Sequence, residues 1–318
     1  MLSYLLKRLF HVVTTLLVLS LIIFAVLHLT PGDPARIMLG PEAPEETVEA
    51  LRVKLGVKDP LPLQYIRWVG NALRGDLGDS YFRNESVASA VGKHLGATIA
   101  LSVWSQLLAI LVAVPAGVYA AKNKGGKVDA AVAAGTLAGI SVPSFLFSLI
   151  LILIFGVWLK WLPASGYKTL SQGIGLHFRY IALPVISLAF MQASLIARIT
   201  RSTVADVTSA EYIKTALAKG VPGTSIMFKH ALRNAFNPIL TTIGQTFGLL
   251  LSGASVVETV FNIPGLGQLM VSSILKRDYP VIQGLVLITS LVYVAVNLVV
   301  DLLYGVVDPR VRVIGENA

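Results

Sequence analysis

The side chains able to do chemistry in this sequence are few and scattered. Five histidines, His11, His28, His94, His177 and His230, lie far apart, and no His-Glu-x-x-His or other ligand spacing joins them. His28 ends an apolar run, where a lone imidazole reads as an interfacial group rather than as part of a metal site. Cysteine is absent, which excludes a disulfide framework and a thiolate metal site. A phosphate-cradling loop needs Gly-x4-Gly-Lys followed by Ser or Thr. Here Gly126-Lys127 is followed by Val128, and Ala121 holds the place of the first glycine. The chain is therefore expected to bind no cofactor or metal and to hydrolyse no ATP by itself. A sequon at Asn84-Glu85-Ser86 is given no role. What remains is a set of polar side chains inside apolar segments: Gln106, Gln192, Ser194, Gln245, Thr246, Asn297 and Asp301. At lipid depth such amides either line a polar pathway or tie helices together. Asp301 follows Asn297 by four residues and so shares its helix face; Arg198, Arg201 and Arg310 are its open choices of partner.

The elements that hold these residues are membrane helices. Over 318 residues the chain is 55% hydrophobic and 14% charged, with a mean hydropathy of +0.74, too apolar for a soluble domain of this length. The net charge of +9 would suit nucleic acid, but its Lys and Arg are spread over short loops, as membrane topology requires. Residues 9–29 form a first span, retained rather than cleaved because no small-x-small site precedes Pro31. Five more apolar segments follow at 98–121, 132–159, 181–200, 239–257 and 282–306. Pro115, Pro143 and Pro184 fall inside them and read as simple kinks, with bending during a cycle the alternative. Gly244, Gly248 and Ser252 recur every four residues and make a flat packing face on the fifth span.

Residues 31–97 form a long polar loop with nine acids (Asp33, Glu42, Glu45, Glu46, Glu49, Asp59, Asp76, Asp79, Glu85) against eight bases. Its length exempts it from the positive-inside rule, so it is assigned to the outside, with short helices at 45–55, 62–74 and 85–95. Between the second and third spans Lys122, Lys124 and Lys127 face only Asp129, which places that loop inside. Trp158, Trp161 and Tyr180 flank an external loop at 160–180 and suit an aromatic belt. Six spans with both termini cytoplasmic satisfy every short loop.

One long polar interval, 206–238, interrupts the apolar second half of the chain. Ile213, Ala216 and Leu217, then Met227, Phe228, Ala231 and Leu232, recur at helical spacing and predict two short amphipathic helices. Gly220 turns the chain between them and Pro222 opens the second. Lys214, Lys219, Lys229 and Arg233 outnumber Asp206 and Glu211, so the interval faces the cytoplasm.

The wording EYIKTALAKG, then HALRNAFNP, resembles the coupling loop of ABC-importer permeases in the form used by dipeptide, oligopeptide, glutathione and nickel systems. The usual pattern runs Glu-Ala-Ala, three residues, Gly, nine residues, Ile-x-Leu-Pro. Aligned on Gly220, this chain has Lys214-Thr215-Ala216 and His230-Ala231-Leu232-Arg233, lacking the strict acid and proline. Thr30-Pro31-Gly32-Asp33-Pro34, the passage 253–281 and the closing Asp301-Leu302-Leu303-Tyr304-Gly305 with Asp308-Pro309-Arg310 extend the resemblance over essentially the whole chain. In 253–281, Glu258 ends the fifth span, Asn262 to Gly267 turn, and 269–275 make a short surface helix.

The resemblance implies an all-α polytopic protein of type I importer architecture. Its parts would be an anchor helix at 1–30, an external helical domain at 31–97, and a permease core at 98–318 with its coupling loop at 206–238. Glu211, Tyr212, Thr215, Ala216, Lys219 and Gly220 would meet an ATPase. Gln192, Gln245, Asn297, Asp301 and Glu258 are the pathway or gate candidates, Glu258 lying near the mouth or serving as a structural cap. The implied partners are a homologous C-type permease, two ATP-binding subunits holding ATP and Mg, an extracytoplasmic solute-binding protein and the bilayer of a bacterial or archaeal cytoplasmic membrane. Peptide is the expected substrate, with nickel, a metal chelate or glutathione as the alternative. A secondary transporter would need several intramembrane carboxylates or repeated broken helices, and Asp301 is nearly alone. An intramembrane enzyme would need a nucleophile paired with a base, and none is recognisable.

Overall fold

A computed structural model describes residues 2–29 and 32–307, with the side chains of 2–9, 11, 229, 251–253 and 300–307 outside that description. It is helical throughout, and among the described residues the only strand-like pairing is a single bridge between Asp79 and Ser86. Four continuous stretches are long and apolar enough to cross a bilayer: Val12–Leu29, Val87–Lys122, Ile174–Thr208 and Tyr279–Val299. Two further pairs of helices are bent, and the count is six with each pair taken as one span. Contacts divide the chain into two compact units, one of Met1–Gly96 with Pro264–Val294, the other of Ala97–Ile263 with the chain from Ala295.

In the first unit α1 (Leu2–Leu29) is followed by three short helices, α2 (Pro34–Leu39), α3 (Glu45–Leu55) and α4 (Leu61–Leu73). Each is bounded by local chemistry. Asp33 caps α2, accepting the Ala35 N–H at 3.0 Å, and Pro34 fills the first position, where no N–H is needed. Glu45 and Glu46 complement the dipole at the start of α3, and Gly56, at φ +68°, ends it in the left-handed region. Many charges of this segment are paired with one another. Arg52 reaches Asp33 at 2.7 Å, Glu45 at 2.8 Å and Glu49 at 3.0 Å, while Arg67 holds Asp59 at 2.9 Å. Arg36 also pairs with Glu45, and Lys58 with Glu49. These bonds hold the Glu45 carboxyl below its usual range, the Arg52 hydrogen bond being the main cause.

His28 is the centre of a polar and aromatic seam between α1 and α4. Its Nδ1 lies 2.8 Å from the Phe24 carbonyl and its Nε2 3.1 Å from Gln64 Oε1, and its ring stacks on Phe24. Ser20 and Tyr65 share a hydrogen bond of 2.8 Å about two turns back along α1. This histidine is thus a helix-to-helix tie. The last parts of the first unit are α12 (Leu266–Lys276) and the start of α13 (Tyr279–Val307). Asp278, between them, is buried and accepts from Ser80 Oγ at 2.5 Å and from the Tyr81 N–H at 3.1 Å. Burial first, then the charge of Asp278, pushes the Tyr81 phenol up to about 12.

The second unit is the bundle. It contains most of α5 (Val87–Lys122), then α6 (Lys127–Ser141), α7 (Ser144–Leu151) prolonged as a π-helical stretch Ile152–Trp158, and α8 (Ile174–Thr208). After α9 (Glu211–Ala218) come a single turn α10 (Gly223–Ser225), a π-helical segment Ile226–Ala231 and α11 (Leu232–Val260). Its core draws Leu101 from α5, Leu151 from α7, Leu183 and Leu188 from α8, and Leu250 and Val257 from α11. A second cluster joins Val118 and Ala121 to Val204, Met227, Ala231 and Ile239. Trp158 and Trp161 remain largely exposed, as a belt requires.

Several helix limits depart from expectation. The helix expected at 85–95 and the span at 98–121 are one 36-residue helix, because Gly92 and Gly96 do not break a chain already fixed by neighbours. The fifth span and the second amphipathic helix also merge, through the π segment into α11, which leaves Pro238 inside a helix. The helix expected at 269–275 runs over Leu266–Lys276. Pro143 is not a simple kink: the third span breaks there by 104°, and Val142 is extended as a residue before proline prefers. Pro115 and Pro184 sit in unbroken helices.

Gly244 and Gly248 are buried, as a packing face needs, while the Ser252 side chain lies outside the described residues. Close helix contacts also fall on other glycines. A Cβ on Gly139 would meet Ser194 Oγ at 1.9 Å, and one on Gly117 would meet Thr200 Cβ at 2.6 Å. α8 therefore packs on α5 and α6 through small residues.

Candidate functional site

The polar interval folds as one short helix and a turn suspended between α8 and α11. α9 spans eight residues, with Glu211 in its first turn, where a carboxylate complements the helix dipole. Lys214 Nζ donates to Glu211 at 2.6 Å. The helix ends in a Schellman motif. Val221 N–H donates to Ala216 O at 3.2 Å and Gly220 N–H to Leu217 O at 2.9 Å, with Gly220 at φ +78°. A non-glycine residue at that φ is strained, so the turn read from Gly220 has a backbone reason.

Few contacts hold α9. Ile213 is 1% exposed and Ala216 half-buried, while Asn234 Nδ2 on α11 donates to the Tyr212 hydroxyl at 2.9 Å. Glu211, Tyr212, Lys214, Thr215, Leu217, Lys219 and Gly220 are all exposed. Leu217 is 56% exposed and Tyr212 47%, so the outward face mixes apolar and cationic groups. Behind it the π segment buries Ile226, Met227 and Ala231 together. The geometry is that of a short turn of helix presented outward and pinned at two points.

At the same end of the bundle, Arg201 on α8 grips Asp129 on α6. Its Nε and Nη2 donate to the two carboxylate oxygens at 2.8 and 2.7 Å, and the Gly125 N–H adds a third bond at 2.9 Å. Asp129 thus answers an arginine 72 residues away rather than only the lysines beside it, a pairing that local spacing does not reveal. The available signal was an arginine near a span end, which has to find an acid. Arg201 is thereby taken from the choices open to Asp301; the side chains of Asp301 and Arg310 lie outside the described residues.

The polar span residues fall into two groups. Gln106, Thr246 and Gln192 come together across three helices. Gln106 Nε2 donates to Thr246 Oγ1 at 3.1 Å and Gln192 Nε2 to the Thr246 carbonyl at 3.0 Å. Gln192 Oε1 is buried without a partner among the described residues. Ser194 turns back onto the Phe190 carbonyl at 2.8 Å. Glu258 is fully buried on α11 and accepts from Thr98 Oγ1 of α5 at 2.6 Å. Its carbonyl accepts the Ile263 N–H at 2.8 Å, closing α11 with Asn262 at φ +51°. Gln245, at mid-span on α11, is exposed, and Asn297 on α13 is half-buried. The bundle thus uses most of its amides to join its own helices and leaves Gln245 facing out. No group of three or more His, Cys, Asp or Glu able to hold a metal occurs among the described residues.

A helical membrane bundle with a short exposed helix set between two of its spans has the architecture of a type I importer permease. The same fold occurs in the methionine ABC transporter MetNI in its inward-facing conformation, with a TM-score of 0.59 over 70% of this chain and 97% of that one, at 16% identity. Residues 113–313 match the family described as binding-protein-dependent transport system inner membrane component, and residues 1–102 match its N-terminal companion. A probable peptide ABC transporter permease, y4tP of Sinorhizobium fredii, is 42% identical over 97% of this chain and 99% of its own length. The glutathione transport system permease GsiC of Escherichia coli K12 is 40% identical over 98% and 99%. The chain belongs to the family of binding-protein-dependent transport system inner membrane components, and is the membrane-spanning permease of an ABC importer.

Proposed function

We propose that this permease carries peptides inward and is driven through α9. The relatives named for peptide and for glutathione, itself a tripeptide, support that substrate class over nickel or another metal chelate. In this reading an extracytoplasmic solute-binding protein delivers the peptide to a pathway between this chain and a homologous C-type permease. Two ATP-binding subunits bind ATP and Mg. The permease itself is non-catalytic, both termini are cytoplasmic, the segment 31–97 is external and the core at 98–318 forms the gate.

The observation that carries the proposal is α9, an exposed helix anchored, among the described residues, by buried Ile213 and the Tyr212–Asn234 bond. Closure of the ATPases pushes on Tyr212, Thr215 and Lys219, and the rigid turn at Gly220 passes the force into α11. Pathway contact falls to outward-facing Gln245 and to Asn297, while Gln192 and Glu258 hold the helices that move. Asp301 belongs with the inner end of the gate.

The test uses the assembled importer in proteoliposomes. Gly220→Pro, whose ring cannot adopt a positive φ and removes the N–H given to Leu217, is expected to abolish uptake while ATP hydrolysis and subunit assembly persist. Lys219→Glu is expected to act in the same direction. Normal uptake by both variants would sink the assignment of α9. Competition among a labelled dipeptide, a longer peptide, glutathione and a nickel chelate identifies the cargo.

A further inference from the structure

Next to the Asp129–Arg201 pair, α6 and α8 enclose an open groove of about 360 Å³. One end is cationic. Arg198, one helical turn before Arg201, is exposed and makes no hydrogen bond or ion pair among the described residues. The carboxylate that lines the groove, Asp129, already accepts three hydrogen bonds, two from Arg201 and one from the Gly125 N–H. Lys122, Lys124 and Lys127 on the adjoining turn are exposed as well, so positive charge is in surplus there. Away from that end the wall becomes apolar, through Ala133 to the exposed Leu137, with Thr136 turned onto its own helix at the Ala133 carbonyl. From Asp129 to Leu137 the helix climbs about 12 Å. A charged end that passes into an apolar wall along a membrane helix has the polarity of a lipid molecule.

We propose that this groove binds an anionic phospholipid, its phosphate on Arg198 and the free edge of Arg201, and an acyl chain along Ala133 and Leu137. Charge complementarity selects an anionic headgroup, since a zwitterionic one brings an ammonium group into a site that already holds surplus guanidinium. The tapering apolar wall favours a lipid over free phosphate, which would gain nothing from Leu137.

Native mass spectrometry of the full chain, purified within its importer complex, tests this with phosphatidylglycerol against phosphatidylcholine at equal chain length. Wild-type protein is expected to retain phosphatidylglycerol preferentially. Arg198→Gln is expected to weaken that retention about fivefold, the change one basic residue near an anionic surface brings, and Arg198→Lys to keep most of it. Equal retention of the two lipids by wild-type protein overturns the proposal, as does undiminished preference in Arg198→Gln. A photo-reactive side chain at position 133 should label lipid; labelling of a companion subunit in its place, or displacement of the lipid by inorganic phosphate alone, also overturns it.

Discussion

At the scale of single residues, the backbone is where the sequence was easiest to read. Gly56 and Gly220 stand where a left-handed residue must end a helix, and each does so. Pairings between distant side chains were not legible, because period and spacing carry no information about them. Asp129 with Arg201, and Ser80 with Asp278, are joined only by the fold. The second of these yields a prediction. Tyr81 has a folded pKa of about 12, raised chiefly by burial and then by Asp278. A phenol raised in this way contributes stability in full below its unfolded pKa of about 10, and that contribution is lost as pH rises through the folded value. Heating scans between pH 9 and pH 12, as ~1-unit steps, should show a steeper loss of stability in wild type than in Tyr81→Phe. The opposite sign applies to Glu85, whose carboxyl is lowered first by the Lys93 hydrogen bond. Its contribution is present above the unfolded pKa and disappears as pH falls through the folded one; Glu85→Gln should flatten the acid limb of the same scan.

Helices were legible as apolar runs, and their ends and breaks much less so. Apolar content finds a lipid-depth segment but not the polar turns that extend it, so α5 and α8 begin well before their apolar parts. Three prolines with the same local signature behave differently because their surroundings differ. Pro184 lies between buried Leu183 and Val185, whose packing holds the turn closed, whereas Pro143 lies between Val142, half-buried, and Ser144, with Phe145 and Leu146 exposed, and nothing opposes the break. Close packing supplies a second prediction. Gly139→Leu must displace Ser194 and the Phe190 carbonyl, so α6 and α8 should separate. A loss of about 1–3 kcal/mol is expected, read as a lower melting temperature in detergent, while Gly135→Leu, with open space around it, should be tolerated.

Across the whole molecule, composition alone fixed the class, but the division of polar residues between inside and outside needed the fold. Gln192 and Gln245 look alike in a list of span amides; one is 4% exposed and bonded to Thr246, the other faces out. Gln192→Leu should therefore destabilise the chain by about 0.5–1.5 kcal/mol by removing an interhelical hydrogen bond. Gln245→Ala should leave melting unchanged and shift apparent substrate affinity in vesicle uptake by up to about tenfold, the value of one hydrogen bond of about 1.4 kcal/mol. Equal behaviour of the two variants would remove Gln245 from the pathway. The length of α8 bears on what α9 can do. Thirty-five residues extend about 52 Å, against a hydrocarbon layer of about 30 Å, so this rod outreaches the oil it crosses. Beyond Arg201 it climbs about 10 Å more before α9 begins. In the proposed mechanism α9 thus rides at the end of a stiff rod, where a small sideways stroke becomes a rocking of the whole shaft.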